Sequence, residues 1–449
     1  MKLNEKVSRY LEKIPKSKLN AFISINKNAE KDAEKIQRKI DTNAAGRLAG
    51  YVLAIKDNIA VSGMRLTCAS KMLENYVSPY DATVVKRIIA EDGLIIGKTN
   101  MDEFACGASG ETSYFGATLN PSDEKRVPGG SSSGSAAVVA AGLCDVSLGS
   151  DTGGSIRCPS SFCGVLGFKP TYGTVSRYGL VDMAMSLDQI GPITKTVSDA
   201  ALVLSVINGS DGMDNTAIKT KEDYTKFAKQ KITGIKIGVV GEFFDGCDHN
   251  VEKNVRDGVE ILKSEGAKIV DVSVPKTPIA VPAYYLNMFA EFSSAMQKFD
   301  GLKYGFRKEG KDLNDTVAES RSSLGEEVKR RILLGTYITM KEFRGKWYST
   351  ALKARESIRH EMRAALKKCD LLAGPTMPFT AFKLGDKIKD PVEMYLSDIL
   401  TVSANLSGLP AASVPLEVKG MPVGMQLHAD TGSDGKILFA AAAYERASK

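Results

Sequence analysis

Histidine is scarce in this 449-residue chain: only His249, His360 and His428 are present. Histidine is the usual base beside a nucleophilic serine or cysteine, and none of the three falls in a Gly/Ser-rich loop. His428 sits near a strand end and His360 within a long helical pattern, so both read as structural. The seven cysteines are odd in number, and no two stand at C-x-x-C spacing. That argues against a zinc site or a disulfide framework and suits a reducing compartment. No apolar run reaches the roughly 18 residues a membrane span needs. The opening MKLNEKVSRYLEKIPKSK lacks the apolar core of a secretory signal. We expect a cytoplasmic protein with no membrane contact. Nucleotide loops are missing too. No G-x-G-x-x-G follows a strand, and DGLIIGKT (92–99) has Asp92 where a phosphate-binding loop needs glycine, with Gly93 one place late.

What is present is a chain with 43% hydrophobic residues, enough for a large core. The net charge of +7 and the pI of about 8.8 leave two readings open, a solvated surface or an acidic partner such as RNA. Helical and strand-like patterns alternate, which favours an α/β architecture. Residues 3–45 read as a polar helical arm with a thin stripe of Leu11, Ile14, Leu19, Ile36 and Ile40. Tyr51–Ile59 reads as a strand entering a polar turn. DATVVKRIIAED (81–92) reads as a helix with Asp81 as N-cap, and Leu94–Thr99 as a buried strand. Together these make one β-α-β unit of a sheet with parallel strands. Further strands are expected at 146–150, 236–240, 268–274, 371–374, 412–418 and 423–427. Helices are expected at 135–143, 251–264, 281–298, 324–334, 341–367 and 437–447. The Lys- and Asp-rich stretch 210–234 is the candidate surface excursion. No repeat or domain break is visible, so 1–449 is taken as one domain, an arm (1–45) on a catalytic body (46–449).

Residues 120–135 are rich in Gly, Ser and Pro but run straight into a small-residue helix, so they read as a functional loop inside the domain. A second Ser/Gly loop follows the next strand. There Gly153, Gly154 and Ser155 can present successive N–H groups with little side-chain obstruction, a row suited to a developing oxyanion. Ser155 can bring its hydroxyl to the same point. A serine needs a base, and a lysine serves only if burial lowers its pKa toward neutrality. Lys56, directly after the apolar run VLAI, is placed for that.

The segments GGSSSG (129–134) and SLGSDTGGSIRCPS (147–160), with small residues between them, resemble the amidase-signature family over about thirty residues. The resemblance implies a large mixed central sheet covered by helices on both faces. It implies a Ser–cis-Ser–Lys triad, with Ser155 as nucleophile, Ser131 as bridging serine behind a cis peptide bond, and Lys56 as base. Thr152, Gly153 and Gly154, with Ser155, match the backbone oxyanion hole. Asp151 and Arg157, inside the signature, read as residues that brace the loop. No metal or organic cofactor is implied in this chain.

Further segments extend the resemblance to one branch, the A subunits of tRNA-dependent amidotransferases. They are NMDEFACGASGETSYFG (100–116), GEEVKRRILLGTY (325–337), GPTMPFTAF (374–382), MYLSDILTVSANLSGLPAASVP (394–415) and GMPVGMQL (420–427). That branch implies glutamine as substrate, partner subunits B and C, ATP and Mg on a partner, and misacylated tRNA engaged mainly through that partner. A glutamine site needs a cation and an anion, and Arg suits a carboxylate by its two-pronged fork. Arg331 and Asp398 fall where the branch places this pair, and Tyr284 aligns with a third contact. Taken without the family, Arg331 reads as a helix-surface charge beside Lys329 and Arg330. Cys106 and Gly110 depart from the branch's pattern at positions expected to line the pocket wall. TMKEFRGKWY (339–348) departs as well and is expected on a helix away from the chemistry. The alternative is a stand-alone amidase-signature hydrolase of another small amide.

Overall fold

The computed structural model describes residues 1–219, 221–229, 232–343, 345–387 and 390–448. Its centre is one mixed sheet of eleven strands. They are β1 (Phe22–Ile25), β2 (Val52–Lys56), β3 (Leu94–Thr99), β4 (Val146–Asp151), β5 (Leu166–Lys169), β6 (Gln189–Thr194), β7 (Lys236–Val240), β8 (Lys268–Val272), β9 (Leu371–Pro375), β10 (Ala411–Pro415) and β11 (Gly424–Ala429). The spatial order is β1-β3-β2-β4-β6-β5-β10-β11-β9-β7-β8. β2 runs parallel to both β3 and β4, and β7 parallel to β8 and β9, while the other pairs are antiparallel.

The near-continuous apolar runs of β2, β3 and β4 follow from burial on both faces. Side chains of a strand alternate between faces. Leu53, Ile55 and Ile95 join one core cluster with Val84, Val85 and Ile88 of the helix Thr83–Ala90. Val52, Ala54, Leu94 and Ile96 join another, with Ala33 of the helix Ala29–Asp41 and Val138 and Val139 of the helix Ser133–Ala140. Each Val, Leu or Ile side chain buried this way contributes about 1.5–3 kcal/mol. The α/β sheet with helices on both faces is therefore as the sequence predicts.

Three expectations need correction. The arm 3–45 is not wholly helical: β1 lies between the helices Leu3–Lys13 and Ala29–Asp41 and adds an edge strand beside β3. Four half-buried residues, FISI, are too short for periodicity to separate strand from helix. Asp81 does not cap the helix after it. Ala82 holds that position, and the Asp81 carboxylate accepts from the Ser62 N–H at 2.7 Å. The segment 340–347 is not a continuous helix: Glu326–Thr339 ends before it and Tyr348–Leu366 begins after it, with residue 344 outside the described residues. Residues 220, 230 and 231 of the expected excursion also lie outside them. Within it Asp214 pairs with Arg177 at 2.9 Å and Tyr224 is buried, so part of the stretch is bound to the body.

The arrangement delivers two loops to one place. β2 and β4 are adjacent and parallel, so the residues at their C-terminal ends, Lys56 and Asp151–Ser155, emerge at the same edge. Such edges are where open α/β sheets hold their ligands.

Candidate active site

Lys56 ends the wholly buried strand VLAIK and is itself fully buried. Its Nζ is hydrogen-bonded to Ser131 Oγ at 2.8 Å and Ser150 Oγ at 2.9 Å, with the Ser150 carbonyl at 3.3 Å. Asn58 Nδ2 donates to the same Ser150 hydroxyl at 3.0 Å. Burial lowers the Lys56 pKa to about 7, against the pull of Asp102, Asp151 and Asp188. An amine so placed can hold or release a proton near neutral pH, as a base must.

Ser131 follows a cis peptide bond from Gly130. Its carbonyl accepts from the Asp102 N–H at 3.2 Å. The Asp102 carboxylate is buried and accepts from the Gly110 N–H at 3.0 Å and the Thr112 hydroxyl at 2.9 Å. Next to Ser131, the Ser132 N–H donates to the Ser155 carbonyl at 3.1 Å, which ties the two serine loops together.

Ser155 is 9% exposed, and its hydroxyl makes no hydrogen bond among the described residues. Nor do the N–H groups of Gly153, Gly154 and Ser155 donate to any protein acceptor among them. The loop is held from outside. Thr152 Oγ1 donates to Asp188 Oδ1 at 2.6 Å, and the Thr401 hydroxyl donates to the Gly153 carbonyl. Asp151 accepts from the Ile156 N–H at 3.1 Å and from both Nε and a terminal nitrogen of Arg157. Arg157 also reaches Gln426, Asn405 and the Thr401 carbonyl. Both side chains are fully buried, and Arg157 holds the Asp151 carboxyl down at about 2. These contacts fit the bracing role expected of the pair. Glycine is required in the row by contact: a Cβ on Gly153 would stand 2.5 Å from the Tyr284 ring, and one on Gly154, where φ is +145°, 2.5 Å from Thr401 Oγ1.

A second cluster lies beside this one. Arg331 is buried, not a helix-surface charge. Its Nε donates to Glu327 Oε1 at 2.7 Å, one helical turn back. Its guanidinium lies 5.7 Å from the ring centroids of both Tyr285 and Tyr395. Asp398 accepts from the Tyr285 hydroxyl at 2.7 Å, and burial raises its carboxyl to about 6. Arg331 and Asp398 thus share a neighbourhood but form no ion pair. Tyr284 packs on Gly153 at the oxyanion row, whereas the adjacent Tyr285 is the one bonded to Asp398.

Sequence reasoning missed Glu327, Tyr285 and Tyr395. The Glu327–Arg331 pair carried a signal, the i,i+4 spacing of an acid and an arginine on a helix. The stacked tyrosines carried none, because they are 110 residues apart. Cys106 and Gly110 do not line the cavity of about 200 Å³ in front of Arg331; Gly107, Ala108, Ser109, Glu327 and Met394 are among the residues that do. Cys106 is fully buried, and at Gly110, where φ is +86°, a Cβ would stand 2.6 Å from that of Ser133. The Gly110 and Thr112 N–H groups donate to the Asp102 carboxylate there, and the Cys106 N–H donates to the Glu103 carbonyl.

A model of the amidase family, described as Amidase, matches residues 5–438. The A subunit of glutamyl-tRNA(Gln) amidotransferase from Caldanaerobacter subterraneus subsp. tengcongensis is 48% identical over 99% of this chain and 93% of its own. The protein of the same name from Methanocaldococcus jannaschii is 48% identical over 99% of both. The crystal structure of the A subunit of glutamyl-tRNA(Gln) amidotransferase from Thermotoga maritima superposes with a TM-score of 0.82. It is 41% identical, covering 99% of this chain and 91% of that one. A bacterial aryl acylamidase of the amidase-signature family superposes at 0.86 with 26% identity, covering 100% of this chain and 93% of that one. With a family model spanning nearly all of its length and near-half identity to full-length relatives, this chain belongs to the amidase family.

Proposed function

We propose that this chain is the glutaminase component of a tRNA-dependent amidotransferase. The observation that carries the chemistry is the buried Lys56, hydrogen-bonded to Ser131 beside an unengaged row of N–H groups that ends in Ser155. The assignment to this complex rests on the shared name of relatives near 48% identity.

In the reaction, neutral Lys56 takes the proton of Ser131 as Ser131 takes that of Ser155. Ser155 Oγ bonds to the amide carbon of glutamine, and the carbonyl electron pair moves onto oxygen. The N–H groups of Thr152, Gly153, Gly154 and Ser155 hold that charge; donors fixed before the reaction are worth several kcal/mol. The C–N bond then breaks, and the proton returns from Lys56 through Ser131 to the departing ammonia. Water, deprotonated by the same relay, cleaves the acyl-enzyme, releasing glutamate and restoring Ser155. Arg331 takes the substrate α-carboxylate, Asp398 its α-ammonium, and Tyr284 closes the site over Gly153. No cofactor enters these steps. Ammonia passes to the B partner, which with the C partner, ATP and Mg converts Glu-tRNA(Gln) or Asp-tRNA(Asn). The reading places the complex in the cytoplasm, with its tRNA substrates. Among the described residues no helix is long and apolar enough to cross a membrane.

The test is ammonia release from glutamine by the chain purified with its partner subunits, comparing wild type with Ser155→Ala. Release by the wild type alone supports the reading, and equal release by both removes Ser155 as nucleophile. If glutamine is inert while a simple amide is still cleaved, the chain is instead a stand-alone amidase.

A further inference from the structure

Two carboxylates stand near Arg331, and the cation is bound to only one of them. Glu327 Oε1 accepts from Arg331 Nε at 2.7 Å and from the Tyr395 hydroxyl at 2.9 Å. Its other oxygen accepts from Arg330. Asp398 instead receives the Tyr285 hydroxyl on Oδ2, and its Oδ1 accepts from nothing among the described residues. The two tyrosine rings stack at 4.2 Å between centroids, 30° apart in plane. The stack separates the two acids into distinct roles. Glu327 already accepts from three donors, two on Oε1 and one on Oε2. Asp398 has one carboxylate oxygen to spare.

From this we propose that Glu327 is a positioning residue that sets the substrate specificity of the site. It acts through Arg331 and does not touch substrate. An arginine offers five N–H donors in a planar fork. Holding Nε on Glu327 fixes the plane of that fork, and neither terminal nitrogen is bonded to an acid among the described residues. One of them lies 3.9 Å from Met288 Sδ, a soft contact that leaves its donors available. The pair so oriented meets a ligand carboxylate with two parallel bonds. Glu327 also supplies the countercharge. The chemical class selected is an amide bearing both an α-carboxylate and an α-ammonium, as against a plain aliphatic amide. The inference deepens the glutaminase reading and rests on it.

The experiment compares glutamine with 4-aminobutanamide, the same molecule without its α-carboxylate, as substrates of the complex. Wild type, Glu327→Gln and Tyr395→Phe are each assayed for ammonia release. Glutamine is preferred by the wild type. Glu327→Gln lowers kcat/KM for glutamine about tenfold, through KM, and lowers that for 4-aminobutanamide less than about twofold. Tyr395→Phe, which removes one of the donors on Glu327 with little change of volume, acts in the same direction to a smaller extent. Equal losses on both substrates assign Glu327 a purely structural role and overturn the inference. So does an unchanged preference in both variants, with the glutaminase reading left intact. A wild type that does not distinguish the two substrates overturns that reading, and this inference with it.

Discussion

Tyr285 and Tyr395 stack face to face, and each hydroxyl holds a different carboxylate: Tyr285 that of Asp398, Tyr395 that of Glu327. The stack therefore joins the end of one helix (Pro391–Leu396) to the middle of another (Thr277–Ala295) and keeps two negative charges near one arginine without merging them. Around it the site has a fully buried base on one side and a nearly buried acid on the other, each with a displaced pKa.

That displacement fixes the acid side of the pH profile. Lys56 is lowered to about 7 and works only when neutral, so its contribution falls as pH drops through that value. Asp398 is raised to about 6 and attracts an ammonium only when charged, so its contribution falls below that value. We expect kcat/KM for glutamine to decline with first-order slope below about pH 7 and to steepen toward second order below about pH 6. In Asp398→Asn the second break disappears. A profile that stays flat down to pH 5 contradicts the role given to Lys56.

Gly153→Ala is expected to damage turnover more than folding. The new methyl group meets the Tyr284 ring at 2.5 Å and must push the loop or the ring aside. Misplacing one oxyanion donor costs about 100- to 1000-fold in kcat. Steady-state kinetics and a thermal melt separate the two effects. Wild-type kcat in the variant would mean that the row is not where charge develops.

Arg157→Met tests the brace behind the loop. The change leaves Asp151 fully buried without its cation and strips Gln426 and Asn405 of a donor. Breaking one side of a buried pair costs about 3–5 kcal/mol. Urea unfolding should show a loss in that range, with activity falling in parallel. A loss within about 0.5 kcal/mol would show that the pair is replaceable by apolar packing.

His428→Leu separates the lysine relay from any histidine mechanism. His428 is fully buried against Phe243, its pKa is pushed down to about 3, and neither ring nitrogen has a partner among the described residues. Removing buried polar atoms that lack partners is neutral or stabilising by about 1 kcal/mol. Ammonia release should survive the substitution. A tenfold or greater drop, with the fold intact by circular dichroism, would reopen the choice of base.

Much of the sheet was legible because fully buried strands leave an imprint that needs no context. VLAIK, LIIGKT and LLAGP are apolar runs bounded by polar turns, and they are β2, β3 and β9. The stretch between the signature and residue 207 was not assigned, although it supplies β5, β6 and the helix Val197–Ile207. QIGPIT, with Gly191 and Pro192 at its centre, has neither the alternation nor the propensity of a strand and is one through its pairing with β4.

The site divides along the same line. The sequence by itself determined which groups could do chemistry: a serine after two glycines, a second serine in a Gly/Ser loop, and a lysine at the end of an apolar strand. Those are local properties, carried by residue type and neighbours. Only the tertiary structure decided which of them meet. Lys56 reaches Ser131 because β2 and β4 lie side by side, and Tyr285 and Tyr395 meet from two distant segments, each holding a different carboxylate beside Arg331. Partner choice among buried charges depends on distances of a few ångströms and on local desolvation, and the fold sets both.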